Sequence, residues 1–166
     1  MKKIFTLLAL TITFSMSAQM DDNSANNNSA GSNAVAMGAS TTASGSYSTA
    51  MGYNTTASGD ASTAMGYNTT ASGLISTAMG VGTTASDYNS LVIGQYNLSN
   101  ATANDTDSFS TSNVAFVIGN GTLGSLSDAF KVMFNGDATV SNDLTVSGDV
   151  VVSSDARLKS NIVSLG

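Results

Sequence analysis

A repeat of 14 residues in the middle of the chain is the feature that most constrains its fold. Segments that begin at Ser48, Ser62 and Ser76 read STAMGYNTTASGDA, STAMGYNTTASGLI and STAMGVGTTASDYN. A short fixed period is typical of repeat architectures, in which each unit buries its apolar face only against its neighbours. Two columns recur at this spacing: Met37, Met51, Met65, Met79 and then Ile93, and Gly38, Gly52, Gly66, Gly80 and Gly94.

Each unit divides into two halves of seven residues, which raises the alternative of a coiled coil. A heptad repeat needs large apolar residues at two positions and good helix formers elsewhere. This unit offers Ala, Ser, Thr and Gly instead, and each Gly costs about 1 kcal/mol in a helix. Alternation within each half favours β-strands, because residues two apart share a face. Two short strands and two tight turns per unit therefore predict one coil of a parallel β-solenoid.

Alternation also assigns faces to the coil. In the first half, Ala50 and Gly52 fall on one side and Met51 falls on the other. In the second half, Ala57 and Gly59 repeat the small side, with Thr and Ser opposite them. Because a coil this short encloses little volume, the Ala/Gly side is expected to face inward.

The two outward sides then differ, since one is a Met column and the other is a Ser/Thr column. A solitary solenoid would expose the whole Met column to water. Burial of one Met side chain is worth about 1.5–3 kcal/mol, so the column strongly favours association. The sequence predicts an oligomer with Met inside the subunit contact and Ser/Thr on the outside.

The STAMG-like motifs at this period resemble the head repeats of trimeric autotransporter adhesins, the YadA-like heads. The resemblance covers Asn33 to Asn97, and SNVAFVIGNGT at residues 112–122 looks like a final coil after an insertion at 98–111. It implies head repeats over residues 34–122 and an all-β fold, a left-handed parallel β-roll with 14-residue coils. It also implies a homotrimer in which three rolls pack side by side.

Composition excludes most catalytic chemistry. The chain of 166 residues contains no Cys, His, Trp or Pro, and its 11 acidic residues are all Asp. A thiol nucleophile, a Ser-His pair, a thiolate or imidazole metal site and a disulfide are therefore excluded. The sequence predicts no metal site, no cofactor and a structural role in place of an enzymatic one.

The amino terminus has the order of a secretory signal peptide. Lys2 and Lys3 precede the apolar run Ile4–Phe14, and small residues follow. Cleavage after Ala18 is expected to leave a polar linker at 19–33 in a secreted or cell-surface protein, with outer-membrane association as one form of that location. The run is shorter than the roughly 20 residues of a membrane span, so no integral span is expected after its removal. A buried terminal strand or helix is the alternative.

The charge balance of the mature chain limits its partners. Without the leader, three cations remain against 11 Asp, a net charge of −8. The cations are Lys131, Arg157 and Lys159. An acidic surface with few cations argues against nucleic acid and against anionic lipid headgroups.

After the repeats the pattern changes to short strands. Phe130, Val132 and Phe134 alternate, and Asn135-Gly136 is typical of a tight hairpin turn. We expect a β-rich fibre segment at 123–153 in which three chains interleave, and an ordinary β-meander is the alternative. The further positions expected in short strands are Val140, Leu144, Val146, Val150 and Val152.

The last residues resemble a second family. The motif SDARLK, which begins at Ser154, is similar to the opening of the endosialidase-type intramolecular chaperone domain, which trimerises fibres and then cuts itself off. The resemblance implies that residues 154–166 begin such a domain. In a longer precursor, Ser154 would be the nucleophile and Lys159 its base, with cleavage after Ser153. A desolvated Lys loses its proton readily and can activate a hydroxyl. An ordinary solvated tail is the alternative.

These observations predict a secreted, homotrimeric surface fibre segment. Its extended Ser/Thr/Asn face would attach to a receptor on a matrix, a host or a neighbouring cell. A second possible function is that of a self-processing precursor whose peptidase acts only on its own chain. A third is ice binding through a flat Thr column, although the repeats contain no Thr-x-Thr rank. That column consists of Thr42, Thr56, Thr70 and Thr84.

Overall fold

The computed structural model of this protein describes residues 27–98 and 105–149, and every regular element within those ranges is a β-strand. The expected all-β class is therefore confirmed. Eight strands form sheet A, in the order β1 (Val35–Ala39), β3 (Thr49–Tyr53), β5 (Thr63–Tyr67), β7 (Thr77–Val81), β9 (Leu91–Gln95), β10 (Val114–Asn120), β11 (Asp128–Met133) and β12 (Ala138–Val140). Four two-residue strands form sheet B, in the order β2 (Thr42–Ala43), β4 (Thr56–Ala57), β6 (Thr70–Ala71) and β8 (Thr84–Ala85).

Successive coils stack in parallel with an offset of one repeat. In sheet A, Met51 pairs with Met37 in the preceding coil and with Met65 in the next. In sheet B, Thr56 pairs in the same way with its neighbours at the same spacing. Four complete coils contribute a strand to each sheet, so the predicted β-solenoid with 14-residue coils is confirmed.

The interior of the solenoid consists of alanine and small hydroxyl residues. Ala50 and Ala57 have no exposed surface, as the alternation predicts. Ser48 and Thr55 are also fully buried, which the alternation within the strands did not reveal because these residues lie at the strand ends. The buried columns are Ala36, Ala50, Ala64 and Ala78; Ala43, Ala57, Ala71 and Ala85; Ser48, Ser62, Ser76 and Ser90; and Thr41, Thr55, Thr69 and Thr83.

The two glycine positions of each coil behave differently. Gly59 is buried, as expected, but Gly52 is exposed, so the prediction that Gly52 faces inward is wrong. Gly52 has a φ of 121°, and a Cβ built on it would lie 2.0 Å from the carbonyl oxygen of Gly66. The first Gly of the repeat is therefore required by backbone conformation and by close contact between coils, and not by the need to fill the core.

The buried hydroxyls differ in their partners. The hydroxyl of Thr41 donates to Asn27 Oδ1 at 2.8 Å. The hydroxyls of Thr55, Thr69 and Thr83 have no hydrogen-bond partner among the described residues. An unpaired buried hydroxyl costs about 1–3 kcal/mol, so the Thr column lowers the stability of the solenoid except at its first position.

Thr69→Val is expected to stabilise the solenoid by about 1 kcal/mol, because a methyl group replaces an unpaired hydroxyl at nearly the same volume. Thr41→Val is the matched control, and it should destabilise the solenoid by about 1 kcal/mol because it removes the bond to Asn27. Denaturant midpoints at one protomer concentration measure both changes. Midpoints that move in the same direction in both variants would contradict the assignment of partners.

Two asparagines close the ends of the solenoid. Asn27 and Asn97 stand in the 14-residue register of the buried Thr column, at its two ends. The Asn27 side chain accepts a bond from Thr41 N at 3.1 Å and donates to Gly38 O at 2.6 Å. The Asn97 side chain accepts from Thr84 N at 2.8 Å and donates to Thr84 O at 3.0 Å. Each amide takes the place of a peptide group of a further coil, so these backbone groups at the ends are satisfied.

The insertion lies against the turns of the later coils. The N–H groups of Leu74 and Tyr88 donate to the carbonyl oxygens of Thr106 and Asp105, each at 2.8 Å. Within the insertion, the hydroxyl of Ser108 donates to Asp105 Oδ2 at 2.6 Å. This bond, together with backbone N–H donors, holds the pKa of Asp105 below its usual value. The segment is thus a folded loop fixed to the side of the solenoid.

Beyond the complete coils, sheet A grows without sheet B. Strand β10 pairs in parallel with β9, β11 pairs antiparallel with β10, and β12 pairs antiparallel with β11. The turn between β11 and β12 contains Asn135-Gly136, as the sequence predicts, and Gly136 has a φ of 93°. A β-hairpin therefore ends the sheet.

The expected strands at Leu144 and Val146 are not formed. Strand β12 ends at Val140, and both later residues are exposed and outside any strand. The apolar positions alternate there, but no neighbouring strand among the described residues pairs with them, and alternation alone does not make a strand. Val150 and Val152 lie outside the described residues.

Candidate functional site

The outward side of sheet A, which we call the Met face, is built by the strand register. Parallel pairing without any shift from β1 to β9 places identical positions of successive repeats side by side. The predicted Met column is formed in this way. The central column is Met37, Met51, Met65, Met79, Ile93 and Ile118, flanked by Val35, Thr49, Thr63, Thr77, Leu91 and Phe116 and by Ala39, Tyr53, Tyr67, Val81, Gln95 and Asn120.

The Met face is apolar and partly open to water in the single chain. The four methionines of the column are half-buried, and Leu91 and Ile118 are 39% and 36% exposed. Tyr53 and Tyr67 stack with their ring centroids 5.2 Å apart. None of the outward positions from β1 to β10 carries a charge. A continuous apolar surface of this kind marks a site of association.

The outward side of sheet B, which we call the hydroxyl face, carries two columns of hydroxyl groups. Thr56 is half-buried on this side, Ala57 points inward, and Ser58 is exposed. The expected Thr column is formed by the in-register pairing of sheet B. The two columns are Thr42, Thr56, Thr70 and Thr84, and Ser44, Ser58, Ser72 and Ser86.

The two faces point in opposite directions, because sheets A and B face each other across the alanine core. Chemically, the Met face offers apolar contact area, and the hydroxyl face offers donors and acceptors without charge. The arrangement suits a molecule that contacts copies of itself on one side and another surface on the other side.

A pocket of about 280 Å³ lies where sheet B stops after β8, and its lining includes Lys131. Two carboxylates in the lining hold neighbouring segments. Asp87 is fully buried, and its Oδ2 accepts a bond from Val114 N at 2.7 Å. Asp128 Oδ1 accepts from Leu98 N at 2.8 Å. These bonds fasten β10 and β11 to the last coil, so the carboxylates have a structural role.

The electrostatics of the pocket follow from its partial burial. Burial raises the pKa of Asp128 above its ordinary value, although the N–H of Leu98 and the charge of Lys131 act in the opposite direction. The sequence analysis missed this pocket, but a signal for it exists. Asp87 stands one repeat after Gly73, where each earlier coil has a glycine, and the break in that column marks the end of regular stacking.

Several sequence predictions lie outside the described residues. Ser154 and Lys159, the proposed nucleophile and base, are among them, as are the leader and its cleavage point after Ala18. Self-cleavage of a longer precursor therefore stays a prediction. In residues 27–98 and 105–149 there is no helix of the length and hydropathy needed to cross a lipid bilayer.

Comparison with known families places the repeats. The family model of the YadA head domain repeat, which spans two copies, matches residues 29–55, 57–74 and 71–97. No curated protein and no solved structure matches the chain. The matched segments coincide with the four complete coils and with strand β9, so sequence and structure identify the same repeating unit.

Proposed function

We propose, starting from the YadA-like adhesin head that residues 29–97 form, that this protein is an exported fibre segment that attaches a cell to another surface. YadA-like heads are trimeric, exposed at the cell surface, and structural in place of catalytic. The family match is the observation that carries the proposal. The leader at 1–18 supports export, and the two faces of the solenoid supply the two contacts that a trimeric adhesin needs.

The Met face is proposed as the contact between subunits. Its central column buries the most area per residue, and its outward positions from β1 to β10 are uncharged. Full burial of one Met is worth about 1.5–3 kcal/mol, so four stacked methionines per chain favour assembly strongly. The methionines are only half-buried in the single chain, which leaves apolar area for the neighbouring subunits to cover.

The hydroxyl face is proposed as the attachment surface. It lies on the side of the solenoid away from the Met face, so a trimer built on the Met face leaves it in water. Its Ser and Thr groups form hydrogen bonds with polar surfaces without the desolvation penalty of buried charges. Regular spacing along the solenoid repeats the same weak contact many times, and multivalent display raises avidity without a new contact.

Attachment is tested with a chain that lacks hydroxyls on this face. The quadruple variant Thr56→Val, Ser58→Ala, Thr70→Val and Ser72→Ala should attach at least tenfold less to matrix-coated surfaces or to neighbouring cells, while it remains a trimer in sedimentation. The matched control, Thr49→Val with Thr63→Val, removes hydroxyls from the Met face and should attach like the unaltered chain.

Equal attachment of the quadruple variant and the unaltered chain would remove the hydroxyl face from the proposal. A thermal-hysteresis assay on the same proteins separates attachment from ice binding. Ice binding predicts hysteresis in the unaltered chain that the quadruple variant loses. The adhesive proposal predicts no hysteresis in either protein.

A further inference from the structure

The strand register carries the Met face beyond the YadA-type repeats into the terminal hairpin. Ile118 in β10 pairs with Phe130 in β11, and Phe130 pairs with Val140 in β12. The central column that begins at Met37 therefore continues across all eight strands of sheet A. At a strand spacing of about 4.8 Å it extends over about 34 Å.

The flanking column continues in the same way. Phe116 pairs with Val132, and Val132 pairs with Ala138. The rings of Phe116 and Phe130 meet edge to face, with centroids 6.1 Å apart, which fixes the first hairpin strand against the last solenoid strand. The hairpin is thus a continuation of one surface and not a separate appendage.

The two sides of the hairpin are chemically segregated. Lys131 pairs with Val117, whose side chain is buried, and lines the pocket together with Asp128. The charged residues of β11 therefore face the pocket, while the apolar residues of both strands face outward. On the outward side, Phe130 and Val132 are half-buried and Val140 is 39% exposed.

We infer that the β11–β12 hairpin is part of the contact between copies of this chain, so that Phe130, Val132, Ala138 and Val140 extend the subunit interface past the head repeats. The inference rests on the proposed assembly through the Met face. Continuity with that face selects a second copy of the chain as the occupant, because the same two columns run through both regions. A two-stranded hairpin is also only marginally stable in water, and cover on its apolar side compensates for this.

The test compares trimer dissociation of full-length variants by sedimentation over a range of concentrations. Phe130→Thr with Val140→Thr keeps β-forming residues in the hairpin but removes apolar area from the column. We expect the dissociation concentration to rise on the order of 100-fold. Ala138→Asp should give a rise of at least about tenfold, because it places a charge on the same side at a residue that supports no core packing. Thr139→Ala, on the other side of β12, is the matched control and should leave dissociation unchanged.

Hydrogen exchange of the β11 amides shows whether the hairpin stays folded in each variant. If Ala138→Asp leaves both hairpin protection and dissociation unchanged, the inference is overturned, whatever the double variant does. Met51→Asp with Met65→Asp separates this failure from failure of the proposed function. Dissociation caused by the Met variant alone would limit the contact to the solenoid, whereas persistence of the oligomer in both would remove the Met face from assembly.

Discussion

Gly66→Ala is expected to lower the free energy of unfolding by about 4 kcal/mol or more, which would place it among the most damaging single substitutions in the chain. Gly66 has a φ of 124°, where side chains other than hydrogen are strained, and its added Cβ would lie 2.1 Å from the carbonyl oxygen of Gly80. The opposing atom belongs to backbone that is paired within the sheet, so it cannot move aside without breaking the stack. Denaturant unfolding at a fixed protomer concentration measures the loss.

Two further alanine substitutions separate the causes. Gly59 has no positive φ, but its Cβ would lie 2.1 Å from the carbonyl oxygen of Gly73, so Gly59→Ala isolates the effect of the close contact. Gly148 has nothing within 4 Å, and Gly148→Ala should change the stability by less than about 0.5 kcal/mol. Equal midpoints for Gly66→Ala and Gly148→Ala would show that the coils do not stack at this distance.

Met51→Asp combined with Met65→Asp is expected to convert the trimer into monomers or aggregates. Each trimer would carry six carboxylates in its apolar contact, and an unpaired buried charge costs several kcal/mol. The two positions are adjacent in the central column, so the charges also repel each other across the paired strands. Sedimentation at micromolar concentration distinguishes trimer, monomer and aggregate.

The control for this experiment adds the same charge to the same coils on the opposite face. Ser58→Asp with Ser72→Asp should remain trimeric, because Ser58 is exposed on the hydroxyl face and Ser72 lies in the same column. Retention of the oligomer by both double variants would show that the subunits meet elsewhere. Loss of the oligomer in both would indicate a general effect of charge on folding.

The regular part of the molecule could be predicted because its sequence repeats at every level. The period of 14 residues defines the coil, and alternation within each half places Ala50 and Ala57 inside and Met51 outside. These residues lie within strands, where side chains must alternate between the two faces. The same logic correctly located the Met column and the Thr column.

Features at the ends of strands and at breaks in the repeat could not be predicted in this way. Thr55 precedes strand β4 and turns inward, and Gly52 adopts a positive φ that removes it from the simple alternation. The burial of Asp87 depends on β10, which the insertion separates from the last coil. Long-range pairing of this kind leaves no periodic signal in the sequence. The strand expected at Leu144 failed for the converse reason, since a pattern was present but a partner was not.

The asparagines that close the solenoid make its length adjustable in whole units. Asn27 and Asn97 bond only to the coil that each one covers, so neither interaction depends on how many coils lie between them. The units that begin at Ser48 and Ser62 are identical over their first 12 residues, STAMGYNTTASG. Duplication or loss of one such unit would lengthen or shorten the head by about 4.8 Å and preserve both termini. The reach of the molecule above a surface is therefore set by a count, which recombination between near-identical segments of its gene can change one step at a time.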